Sequence, residues 1–226
     1  MICYNHAMPA NAIKQARLRL HHNQQKAAAR LGVSQAYVSM LERDKRNPSA
    51  RLARKLMRMY GAPPTVLPVS EAPKNATSDF LARELAALGY PGFAHLRRGS
   101  SKRNPAEFLV LALEQANLEA RVAEGLPWLV SRYPDMDFEW LTTQVRQKNL
   151  QNRLGFVVTL ARLASENDGL DGLEQALVDS KLAKEDSFCR VLNDAEVRWL
   201  RDNRSDQAAQ WNLLSDLRPE QLRYVS

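Results

Sequence analysis

The stretch LGVSQAYVSMLERDKRNP, Leu31 to Pro48, holds the side chains of this sequence best suited to recognition chemistry. Polar or small residues, Gln35, Ala36 and Ser39, come first. Three cations, Arg43, Lys45 and Arg46, follow around the acid Asp44. Polar or small side chains on the leading turn of a helix can enter a DNA major groove, while cations hold phosphates beside it. The plainer alternative is a short helix that merely closes a small helical core through Val38 and Leu41.

These residues need helices to position them, and the flanking sequence predicts a tight series of them. The first runs from Ala10 to Leu20, with Ile13, Ala16 and Leu20 on one face. Asn23 stands as the N-cap of QQKAAARL, which ends at Gly32. Ser34 caps QAYVSMLER. Asn47-Pro48 breaks the chain, and Ser49 opens a fourth helix to about Tyr60. GAPPTVLP closes the module with a short fifth helix or turn. The small-residue and proline stretch VSEAPKNATSD marks a linker over 69–79. Beyond it the helical pattern returns and β-branched runs of period two are missing, so the chain reads as all-α. It divides into a five-helix N-terminal domain at 1–68 and a larger α-helical C-terminal domain at 80–226. There Asn193, with Glu196 three residues on, forms a capping box, and Ser205 caps a last helix.

A helix-turn-helix sets specific demands. Its first helix needs a small residue where the second packs; Ala28 qualifies. Its turn needs a residue that tolerates positive φ; Gly32 qualifies. Its second helix needs apolar anchors, Val38 and Leu41, and a polar or small leading end, Gln35, Ala36 and Ser39. Taken together, NQQKAAARLGVSQAYVSMLERDKRNPS resembles the Xre/Cro-C1 type of helix-turn-helix regulator over roughly residues 10–68. That family has a Leu-Gly-Val-Ser turn, here Leu31 to Ser34, and a recognition helix ending in Glu-Arg-Gly-Lys-Arg-Asn-Pro. This sequence carries Asp44 in place of that glycine. A left-handed backbone is expected there, which Asp tolerates better than most residues.

The resemblance implies roles. Gln35 is the first base reader, since Gln pairs bidentately with adenine, and Ala36 meets a thymine methyl. Ser39 and Met40 are further base-edge candidates, with solvent contact and core packing as their respective alternatives. Gln24, at the start of its helix, binds a phosphate. Tyr37 lies along a phosphate or the sugar wall. Arg43, Lys45 and Arg46 clamp phosphates, positioning the protein rather than specifying sequence. Arg51, Arg54, Lys55 and Arg58 read as a solvated helix face, and His21 and His22 as a solvated pair.

Charge supports this division. The 226 residues carry a net +7. Residues 1–68 hold twelve Lys and Arg against two acids, and the remainder twenty against twenty-three. A small basic module joined to a mildly acidic one fits DNA binding plus a second task. No run of about 18 apolar residues exists, the N-terminus lacks a secretory pattern, and Cys3 and Cys189 have no metal spacing, so reduced thiols in a cytoplasmic protein are expected.

The larger half shows no catalytic motif, no phosphate loop and no metal spacing, so neither an enzyme nor a cofactor is expected. Trp128, Trp140, Trp199 and Trp211 sit among leucines at helical positions and read as core. Residues 80–166 are more loosely similar to the helical C-terminal part of Xre-type regulators associated with toxin–antitoxin or abortive-infection operons. A self-cleaving repressor domain or a cupin-like sensor would be β-rich, which this half is not. Dimerisation, a protein partner such as a toxin, or an effector pocket remain for it. The basic loop residues Arg97, Arg98, Lys102 and Arg103 could add DNA contacts or be solvated. The sequence therefore points to a homodimeric repressor that reads a palindromic operator in double-stranded DNA. The alternative is an antitoxin that neutralises a toxin and autoregulates its operon. A membrane has no part in either.

Overall fold

The computed structural model describes residues 9–69, 76–165 and 168–225. Cys3 and residues 70–75 of the expected linker lie outside these. The chain forms two compact units. Of the described residues, the first takes in 9–69 with Ser101–Glu107 and Tyr133–Asp137; the second takes in 76–100, Phe108–Arg132, 138–165 and 168–225.

In the first unit, α1 (Pro9–Arg19), α2 (Gln24–Leu31), α3 (Gln35–Glu42) and α4 (Ala50–Tyr60) are followed by a 3₁₀ turn at Pro64–Val66. The expected fifth element is that turn. Three of these helices begin at side-chain caps. Asn23 accepts from the Lys26 amide, Ser34 from Tyr37 and Ser49 from Leu52, each relieving one orphan N–H. One core joins them. Ile13, Ala16, Ala28, Val38, Leu41 and Leu56 are buried, and the alanines let helices approach closely.

Leu20 departs from the expected face. The helix ends at Arg19 and His21 turns at φ 52°, so Leu20 leaves the 3.6-residue register and stands 44% exposed. His22 is not solvated either. It is buried edge-on against Tyr60, with ring centroids 5.8 Å apart.

Two later segments complete this unit. Asn104 Nδ2 donates to the carbonyls of Thr65 at 3.0 Å and Leu67 at 2.6 Å, and the Thr65 hydroxyl donates to Asp135 at 2.5 Å. The Thr65 and Leu67 carbonyls are thus satisfied from outside the local chain, as buried polar groups require.

From residue 78 onward the helices are α5 (Ser78–Leu88), α6 (Pro105–Leu113), α7 (Ala120–Arg132), α8 (Phe138–Gln147), α9 (Gln151–Ser165), α10 (Asp171–Val178), α11 (Asp194–Asn203) and α12 (Asp206–Gln210). A parallel pair, β1 (Asp186–Ser187) and β2 (Leu213–Leu214), is the one departure from an all-α description among the described residues. The Asn193 capping box and the Ser205 cap both form.

Helix α9 is the buried axis of the second unit. Gly155 lets the Trp211 ring lie directly on it, because a Cβ there would stand 2.3 Å from the ring. The indole N–H of Trp211 donates to Thr159 at 2.8 Å, and the Thr159 hydroxyl donates to Glu174 at 2.6 Å. Arg162 donates to the same carboxylate at 2.6 Å. Trp128 and Trp211 are core, as expected. Trp199 is not: it is 55% exposed on α11, which buries its neighbour Leu200 instead.

Candidate nucleic-acid interface

The turn between α2 and α3 is built by Gly32. Its φ of 72° is left-handed, and its N–H reaches the Ala28 carbonyl at 2.8 Å while Val33 N–H reaches the same oxygen at 3.1 Å. Lys55 reaches back from α4 and donates to the Leu31 carbonyl at 3.0 Å. The sequence placed Lys55 on a solvated face; its ammonium instead caps the end of α2, favoured by that helix's negative pole. Arg51, Arg54 and Arg58 are exposed, as expected.

Helix α3 is then set by its two faces. Val38 and Leu41 are each 1% exposed and anchor it inward. Gln35 and Ala36 are exposed on its first turn, and Ser39 and Met40 are half-buried one turn later. At about 100° per residue these four share one arc, opposite the anchors. Tyr37 is half-buried and packs partly on the core. Arg43, Lys45 and Arg46 are all exposed beyond the helix end. Asp44 takes φ 55°, the left-handed conformation anticipated for it, and Lys45 N–H closes the end on the Met40 carbonyl at 2.9 Å.

Sequence reasoning missed what sits behind this face. Arg17 Nε donates to Glu42 Oε1 at 2.6 Å and Arg17 Nη2 to Glu42 Oε2 at 3.0 Å. Arg17 Nη1 also donates to the His22 carbonyl at 2.6 Å. Gln24 Nε2 donates to Glu42 Oε2 at 2.9 Å. Burial alone would raise the Glu42 carboxyl, but the Arg17 and Gln24 hydrogen bonds hold it below the usual carboxylate range. Gln24 is thus fastened at the start of α2, and its amide nitrogen keeps a second N–H for another acceptor. No local spacing signals this network.

The basic loop of 97–103 divides in the structure. Arg97, Arg98 and Lys102 are exposed, whereas Arg103 pairs with Glu107. Among the described residues no cluster of His, Cys, Asp or Glu could hold a metal ion, and no helix is long and apolar enough to cross a membrane.

A buried two-helix motif with a left-handed turn, a polar outward arc and a basic end defines a DNA-binding helix-turn-helix. Residues 13–67 match the protein-family model described as Helix-turn-helix. The chain therefore carries the DNA-binding domain of a transcription regulator. No curated protein and no solved structure matches the chain.

Proposed function

We propose that the protein is a cytoplasmic, sequence-specific transcriptional repressor that binds a palindromic operator as a homodimer. The observation that carries this reading is the outward arc of α3, where Gln35 and Ala36 stand exposed on the first turn while Val38 and Leu41 lock the helix behind them. Gln35 pairs with an adenine edge, Ala36 meets a thymine methyl, and Ser39 and Met40 touch the next base. Gln24, Tyr37, Arg43, Lys45 and Arg46 grip the flanking backbone. Two such helices enter successive major grooves about 34 Å apart.

Selection of bound duplexes from random sequence, followed by footprinting, tests this. A two-fold symmetric site with half-sites about one helical turn apart is expected. An asymmetric site sinks the homodimer, and failure to enrich any site sinks sequence-specific reading. Placing the enriched site across a promoter then separates repression from activation.

A further inference from the structure

We propose that the second unit binds a zwitterionic organic molecule with an apolar body, of the amino-acid or dipeptide class, in the cavity along α7. The cavity measures about 1000 Å³, which places it at the upper end of small-molecule sites. Its floor is apolar: Tyr90, Leu118, Phe188, Leu200 and Leu214 line it and are buried.

Tyr90 is the unusual member. Its ring is 5% exposed and held at 5.3 Å from the Trp128 ring and 5.4 Å from Tyr224. Gly92 makes room for it, since a Cβ there would stand 2.5 Å from the ring. Yet the Tyr90 hydroxyl has no hydrogen-bond partner among the described residues. The ring is buried while the hydroxyl opens to the cavity, where it is free to donate to a guest. Burial, reinforced by Glu124, pushes this hydroxyl up to about 12, so it stays protonated and offers a fixed donor.

The adjoining wall supplies charge of both signs. Arg121 and Glu124 lie three residues apart on the cavity-lining face of α7, and neither forms an ion pair. Arg preceding Glu is the less favourable order for an ion pair along a helix. The remaining charges at the mouth follow the same balance. Arg190 is occupied by Glu196, and Asp216, Glu220 and Arg223 of the C-terminal segment also line the cavity. A purely anionic or cationic guest meets like charge here. A zwitterion places its carboxylate on Arg121, its ammonium on Glu124 and its side chain on the apolar floor, with Tyr90 donating to the carboxylate.

Calorimetric titration of the full chain with L-phenylalanine and alanyl-phenylalanine tests this, with 2-phenylethylamine and 3-phenylpropionate as single-charge comparators. At least one zwitterion should bind roughly tenfold tighter than either comparator, as one charge-assisted contact predicts. R121Q and E124Q should each weaken it by a similar factor. Y90F should weaken binding without lowering the melting temperature, since the hydroxyl has no partner in the free protein to lose. Three results overturn the proposal: no binding of either zwitterion, comparators that bind equally well, or undiminished binding by R121Q or E124Q.

Discussion

Arg17 and Glu42, twenty-five positions apart, form a two-point ion pair buried inside the DNA-binding unit. Their side chains are 10% and 3% exposed. The pair joins the end of α3 to α1, and through Gln24 it reaches the start of α2. The helix that presents Gln35 is therefore tied to the helix whose first turn presents Gln24. A surface ion pair contributes little, but removing one partner of a buried pair strands the other charge.

Glu42→Gln should accordingly cost about 3–5 kcal/mol in urea unfolding. The double change Arg17→Met with Glu42→Leu should cost less than either single change, because no charge is stranded. Equal stability of Glu42→Gln and the native chain would remove the pair from any structural role.

The same pair sets an acid limit. Glu42 has its carboxyl held below the unfolded value, so its contribution is fully present above the usual carboxylate range. It is lost as pH falls through the depressed folded value. His22 acts in the same direction at higher pH. Its imidazole is lowered by burial and then by Lys26 and Arg30, so its contribution starts to fall once pH drops below the usual histidine value. Melting temperature should decline in two steps on acidification, and Glu42→Gln should abolish the lower step.

Gln35→Ala and Arg46→Ala should fail in different ways. On the proposed reading the first removes a base contact, and it should cost about 1–3 kcal/mol of discrimination at one position. The second should weaken all sequences alike and reduce the salt slope by about 1. Binding isotherms on the selected site and on scrambled DNA, each at several salt concentrations, separate them. Unchanged preference in Gln35→Ala would mean that α3 does not read bases through its first turn.

Asp44→Gly should help twice. Glycine adopts φ 55° without the Cβ clash, which should raise stability by roughly 1 kcal/mol or less. Loss of the carboxylate beside Lys45 and Arg46 should also tighten DNA binding at low salt, with the gain fading as screening grows. Weaker binding would show that the carboxylate itself makes a favourable contact.

Gly155→Ala should be costly although alanine is the better helix former. The added methyl meets the Trp211 ring at 2.3 Å, and the ring is pinned by its bond to Thr159. Overpacking of this kind costs about 1–3 kcal/mol. A shifted tryptophan emission spectrum should accompany the lower melting temperature, and a neutral result would mean that Trp211 moves freely.

Asn104→Ala should destabilise the first unit, although position 104 is remote in sequence from the motif. It leaves the buried carbonyls of Thr65 and Leu67 without their donor, at about 1–3 kcal/mol for an unsatisfied group. DNA affinity should fall with stability on warming and recover on cooling.

Most of the first unit was legible because its signals are local. Asn23, Ser34 and Ser49 cap helices by reaching an amide three positions ahead, and Gly32 and Asp44 take left-handed φ at the places their residue types allow. Failures came where a helical pattern met an unmarked boundary or a partner elsewhere. Leu20 belonged to the face of Ile13 only while the helix continued, and the turn at His21 ended that. Residue type does not fix the settings of His22, Lys55 and Trp199, which depend on what lies opposite.

The helices of the first unit, their caps, the turn between α2 and α3 and the side chains on the outward arc of α3 are all written in local sequence. All of these follow from torsion preferences and hydrogen bonds spanning a few residues. Long-range contacts alone place Glu42 behind α3 on Arg17, Asn104 at Thr65 and Leu67, Trp211 on Gly155, and the partnerless Tyr90 hydroxyl at a cavity. The first three join positions far apart in the chain, and the last depends on segments that meet only on folding. Loop closure between such positions leaves no periodicity to read, because any register of the intervening chain satisfies the same local rules.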